Sequence, residues 1–165
     1  MSSNPEAKNP TTVQDALALG VFVAVSFLAA GLGVFSPPDA WYAALDKPPL
    51  NPPNWIFGPV WTVLYVLMAI AGWLVWLRRK GTNVRGALAL FAVQLALNAA
   101  WSPLFFGAHH PGLALLDLML LWAVLLATLV AFWRVRPVVG ALLVPYQLWV
   151  TFAGYLNLMI WWLNR

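Results

Sequence analysis

Three stretches of this chain place indoles, phenols and carboxamides at helical spacing. Gln94, Asn98, Trp101 and Phe105 fall at i, i+4, i+7 and i+11, so they share one helical face. Trp61, Tyr65 and Met68 make a matching face, and Tyr146, Trp149, Ala153 and Asn157 a third. Flat aromatic walls with a few amides suit a large, flat, apolar ligand with polar edges. Plainer roles are open to the same residues: the amides as hydrogen-bond partners between helices, the indoles as packing. The constellations of group-transfer chemistry are missing. There is no nucleophile–His–acid set, no carboxylate pair in one place and no Gly-rich phosphate loop. The chain has no cysteine, which excludes disulfides and thiolate metal sites. His109 and His110 are neighbours in a loop, and without a His or Cys inside an apolar stretch an axially ligated haem is not expected. No metal site is assigned and no cofactor is required.

The elements that position these faces follow from composition. The chain has 165 residues, of which 62% are hydrophobic and 8% charged, with a mean hydropathy of +0.78. A soluble domain carries roughly 25% charged residues, so this chain reads as an all-α integral membrane protein. Five stretches reach the roughly 20 apolar residues of a spanning helix: Ala16–Phe35, Trp55–Leu77, Gly86–Phe106, Gly112–Trp133 and Val138–Leu163. They form one five-helix domain over residues 16–165, after a polar segment 1–15 whose head, MSSNPEAKNPTT, reads as disordered or tag-like. The first span lacks a basic n-region and a small-residue cleavage site, and is read as retained. Lys8, the Arg78-Arg79-Lys80 run with Arg85, and Arg134 with Arg136 share one side; Lys47 and Arg165 lie on the other. In a bacterial inner membrane that asymmetry places the N-terminus in the cytoplasm. The basic residues sit in loops and not on one face, so no nucleic-acid partner is expected. Trp55, Trp133, Trp161 and Trp162 at span ends read as interfacial anchors.

Loops 2 to 4 are short, which predicts that helices 2 to 5 are sequential antiparallel neighbours. Loop 1, Ser36 to Asn54, is long and holds six prolines. A helical turn or two is predicted within Asp39–Leu45, between Pro37-Pro38 and Pro48-Pro49. With Trp41, Tyr42 and Leu50 it suits a lid over the bundle mouth. Below it the three aromatic faces can meet. Asp117 is the one acidic residue inside a span, with Thr128 three turns along on the same face. It suits an interfacial partner or a helix N-terminal amide, a proton-linked role, or contact with a polar group of a ligand. Ala92, Ala96 and Ala100 form a small-residue ridge for close helix approach, with Gly20/Ala24 and Ala29/Gly33 on the first span as a rival.

Four segments in order resemble a known family: Trp41-Tyr42-x-x-Leu45-x-Lys47-Pro48; Asn51-Pro-Pro-Asn54-Trp55-x-Phe57-Gly-Pro-Val-Trp61-Thr-x-Leu-Tyr65; Gln94-Leu-x-Leu-Asn98-x-x-Trp101-Ser-Pro-Leu-Phe105-Phe-Gly107; and Pro145-Tyr146-x-Leu-Trp149-x-x-Phe-Ala153-x-x-Leu-Asn157. Together they are similar to the translocator protein/tryptophan-rich sensory protein family, which includes the peripheral-type benzodiazepine receptor. The resemblance covers nearly the whole chain past residue 16. It implies a five-helix bundle, commonly homodimeric, that binds porphyrins such as protoporphyrin IX and haem, sterols, and synthetic benzodiazepine-type ligands beneath loop 1. The matching positions are Trp61, Asn98, Trp101, Trp149 and Ala153, with Asn51 and Asn54 at the lid. Trp41, Tyr42, Phe57, Tyr65, Phe105, Tyr146 and Asn157 complete the candidate set. Some bacterial members are associated with light-dependent porphyrin degradation, for which Trp61 and Trp149 are the matching candidates. Sensing, sequestration, transport, photodegradation and a scaffold role all remain open at this point. Two departures bear on ligand choice. Tyr155 has no basic residue until Arg165, too far for the weak cholesterol pattern, and Asn51 and Asn54 replace lid histidines of the mitochondrial members. A bacterial envelope fits best.

Overall fold

The computed structural model describes residues 10–165, with side chains from Val13 onward; the head of the chain, with Lys8 of the charge asymmetry, lies outside the described residues. Seven α-helices follow in order: α1 Pro10–Leu32, α2 Ala40–Ala44, α3 Phe57–Trp76, α4 Arg85–Ser102, α5 Pro111–Val135, α6 Pro137–Ala141 and α7 Val144–Leu163. Among the described residues there is no strand. Five apolar spans result: Val13–Phe35, Asn54–Trp76, Arg85–Gly107, Pro111–Val135 and Pro137–Leu163. At 1.5 Å per residue each exceeds the roughly 30 Å hydrocarbon core. These match the five predicted spans, so the chain is a multi-pass integral membrane protein. The first helix starts at Pro10 and not at Ala16. Its extra turns are held from outside: the Trp73 indole donates to the Asp15 carbonyl at 2.8 Å, and Arg79 reaches the Asp15 carboxylate at 3.4 Å.

Proline punctuates the bundle as its lost N–H requires. Pro111 and Pro137 begin helices where the N–H would be unpaired anyway. Pro145, in the first turn of α7, cannot continue the α6 ladder, and the last span breaks at Leu142–Leu143. Pro103 interrupts the end of α4, and the backbone widens into a π-turn, Pro103–Gly107, closed by Ala108 N–H donating to the Pro103 carbonyl at 2.8 Å.

The helix order around the bundle differs from the predicted one. α4 packs on α5, and α5 on α7, as short loops require. α3 and α4 touch only sparsely, because α1 packs against both and sits between them. A gap at Gly72 admits α1: a Cβ there would lie 2.7 Å from Phe22 Cδ1, and Phe22 meets Phe91 edge-on with centroids 5.7 Å apart. The connection over residues 77–84 is long enough to pass the roughly 10 Å width of an intervening helix. The buried core runs through Met68, Val75, Phe91, Leu121, Leu125, Phe132 and Tyr146, while Leu17, Leu28, Val63, Leu116 and Leu148 face outward, as lipid solvent permits. Trp55, Trp133 and Trp162 are exposed at span ends, as anchors should be. Of the two small-residue ridges, Ala92 and Ala96 are exposed and Ala100 half-buried. Ala29 is buried within the chain, and Gly33 approaches Ser102 on α4.

Candidate functional site

The centre of the bundle is built by α3, α4 and α7. Trp61 and Tyr65, one turn apart on α3, stack with centroids 5.5 Å apart. Trp61 meets Tyr146 of α7 edge-on at 6.0 Å, and Phe57 meets Trp149 at 5.9 Å. Asn98 of α4 binds both phenols: its Oδ1 accepts from the Tyr65 hydroxyl and its Nδ2 donates to the Tyr146 hydroxyl at 2.9 Å. A carboxamide suits this task because it carries a donor and an acceptor on one planar group. Tyr146 is fully buried, and Tyr65 and Asn98 nearly so. Trp61 and Trp149 are only partly buried. The Trp149 Nε1 is buried yet has no hydrogen-bond partner among the described residues. Ala153 packs at the edge of the same core. Phe57, Trp61, Tyr65, Asn98, Tyr146 and Trp149 therefore converge.

A second group forms above. Trp101 of α4 donates its indole N–H to Asn157 Oδ1 of α7 at 3.0 Å, and Asn157 Nδ2 donates to the Pro111 carbonyl at 2.8 Å. Trp101 stacks on Phe105 at 5.0 Å, and Trp41 and Tyr42 of the lid reach Phe105 edge-on at 5.9 and 6.1 Å. Phe105 is 1% exposed. Trp41, Tyr42, Trp101, Phe105 and Asn157 pack together here, and Trp101 also touches the central group. The lid rests on this cluster.

Loop 1 forms its short helix α2 as the prolines predict. The Asp39 carboxylate accepts from Tyr42 N–H at 3.1 Å, an N-cap. That bond, more than the His109 imidazole beside it, holds the Asp39 carboxyl below its usual value of 3.8. Burial pushes the Tyr42 phenol above its usual 10. Lys47 Nζ closes the other end, donating to the Leu45 and Ala43 carbonyls at 3.0 and 3.3 Å and lying over the Tyr42 ring. The path of the loop follows from its ties. α1 and α3 are packed neighbours, so a short link could join them. Instead the loop reaches His109, before α5, and Asn164, after α7. It must cross the mouth of the bundle to do so. Asn51 lies partly buried on the return path, its Nδ2 donating to the Pro52 carbonyl, and Asn54 is exposed at the turn into α3.

Asp117 is 8% exposed, and its Oδ2 has no partner; it makes no amide cap. Thr128 is buried and donates to the Val124 carbonyl on its own helix at 2.7 Å. Among the described residues no three His, Cys, Asp or Glu gather as metal ligands. Helical spacing does not point to His109 and Asn164, which tie the lid down; their only sequence signal is being polar at the ends of apolar spans.

A sequence model of the TspO/MBR family matches residues 18–163. The chain belongs to that family. Relatives include a tryptophan-rich protein TspO of Chlorobaculum tepidum, 43% identical over 90% of this chain and 94% of its own length. The translocator protein of Homo sapiens is 43% identical over 87% of this chain and 82% of its own. A tryptophan-rich sensory protein of Cereibacter sphaeroides is 41% identical over 82% and 84%. TspO/MBR membership accords with the four motifs: those of α3, α4 and α7 meet in the central aromatic group, and those of loop 1, α4 and α7 meet in the lid seat.

Proposed function

We propose that this protein binds porphyrins and other flat apolar molecules with polar edges in the aromatic group between α3, α4 and α7, beneath loop 1, and acts as a sensor, sequestering protein or carrier of that ligand. The observation that carries the reading is the Trp149 indole N–H, a buried donor with no partner among the described residues. Leaving such a donor unpaired costs roughly 1–3 kcal/mol, and a ligand carbonyl or carboxylate would recover it. The neighbouring rings of Phe57, Trp61 and Tyr146 offer faces and edges for a planar guest. The test is titration of protoporphyrin IX in nanodiscs, followed by porphyrin absorbance. Trp149→Phe and Trp61→Phe are each expected to weaken binding about two- to tenfold, the scale of one aromatic contact. Unchanged affinity in both would place the site elsewhere.

The protein is further expected to self-associate along the exposed Ala92 and Ala96 of α4. A groove of about 370 Å³, lined by Phe22, Val25, Ala29, Leu88 and Phe91, lies beside that ridge. Disulfide trapping of Ala96→Cys in the membrane tests this. The membrane itself is proposed to be a bacterial envelope, with the Arg78–Arg85 connection facing the cytoplasm.

A further inference from the structure

The lid is fastened at two polar points outside the helical aromatic faces. At one end the His109 Nε2 lies 3.0 Å from Asp39 Oδ2, and the same imidazole stacks on Trp41 with centroids 4.3 Å apart and planes 19° from parallel. His109 adopts φ +55°, a left-handed backbone uncommon for a side-chain-bearing residue. At the other end Asn164 and Asp46 exchange two bonds: Asp46 N–H donates to Asn164 Oδ1, and Asn164 Nδ2 donates to the Asp46 carbonyl, both at 3.0 Å. The two fasteners differ in kind. The Asn164 tie is neutral at every pH. The His109 tie changes strength with the charge on the imidazole, because a cationic ring both pairs with a carboxylate and favours an indole face.

We propose that His109 is a proton-controlled latch on loop 1, which closes the lid when the imidazole is protonated and loosens it when neutral, while Asn164 serves as the standing hinge. The proposal concerns regulation of the site described above and rests on that reading only where ligand exchange is concerned. The groups around His109 are few. From the lid come Asp39, Trp41 and Tyr42; Lys47 is held away over the Tyr42 ring by two carbonyls. His110 is its chain neighbour. At the end of α7, Arg165 lies over the Trp162 ring, and Asn164 is engaged by the backbone N–H and carbonyl of Asp46. Asp39 is therefore the one charged partner in contact with His109 among the described residues. The sign follows. With Asp39 ionised, the attraction exists while the imidazole is protonated and falls away once rising pH has neutralised it.

The test reads the lid directly, without ligand. Hydrogen exchange at the Tyr42 and Ala43 amides, corrected for the intrinsic rate, is measured in nanodiscs at pH 5.5 and 7.5. Wild-type protection is expected to drop roughly two- to fivefold at the higher pH, the scale of one exposed ion pair. His109→Gln keeps a donor without a titratable charge and should show no pH step. Asp39→Asn keeps the helix cap and removes the charge, and should also be flat. A flat wild type, or an undiminished step in either variant, overturns the latch. A second arm measures protoporphyrin IX release at the same two pH values: faster release at pH 7.5 in wild type alone links the latch to the site. If protection steps as expected but porphyrin does not bind, the latch stands and the ligand reading fails.

Discussion

Asn98 is the residue on which the central group turns, and its replacement by leucine is the sharpest perturbation of it. Leucine is close in volume, so packing is nearly conserved and the two hydrogen bonds are what is lost. The Tyr65 hydroxyl then has no acceptor in Asn98, and the Tyr146 hydroxyl no donor. Tyr65 is 6% exposed and Tyr146 fully buried, so water cannot take over. Hydrogen bonds between membrane helices average about 0.6 kcal/mol and reach about 1.7. Two of them, buried, put the expected loss at roughly 1–3 kcal/mol. The assay is reversible unfolding in mixed micelles, followed by tryptophan fluorescence. A control separates bonding from packing. In a Tyr65→Phe/Tyr146→Phe background, Asn98→Leu should cost less than about 0.5 kcal/mol, because removing both partners of a bond is nearly neutral. An equal cost in the two backgrounds would refute the reasoning, leaving Asn98 a space-filling residue.

Other perturbations separate rigid from yielding contacts. Gly140→Ala would bring a Cβ to 2.8 Å from the Trp133 Cα and Cβ, where α5 turns into α6; a loss of about 1–3 kcal/mol is expected from such overpacking, read as a lowered melting temperature. Gly72→Ala meets instead the edge of the Phe22 ring, which can swing toward lipid, so its melting temperature should fall less. Asn164→Ala should speed exchange of the Asp46 amide without touching the pH response of Tyr42. Acid should release the lid helix by a separate route. The Asp39 carboxyl titrates below its usual 3.8 in the folded chain, so its cap is intact above that value and lost as pH falls through the lowered one. Circular dichroism and exchange at Tyr42 should show this step in wild type and not in Asp39→Asn, whose amide caps without titrating.

What could be read from the chain alone is what local chemistry specifies. Apolar runs of spanning length name the five membrane helices, since a helix of that length satisfies its own backbone in lipid. The prolines bound α2, and Asp39 caps it across three residues, an interaction that needs no distant partner. Helical spacing put Trp61 with Tyr65 and Tyr146 with Trp149 because i, i+3 and i+4 are neighbours on any helix. Which faces meet is another matter. Spans that are apolar nearly all round carry little information about rotation, since lipid and protein interiors reward the same residues. Only the assembled bundle places α1 between α3 and α4, turns Trp101 and Phe105 into the lid's seat, and pairs Asn98 with two phenols 33 and 48 residues away. It alone sends loop 1 across the mouth to Asn164, 118 residues from Asp46, and to His109, 70 from Asp39. Contacts at such separations depend on the order of helices around the bundle, which local spacing does not specify.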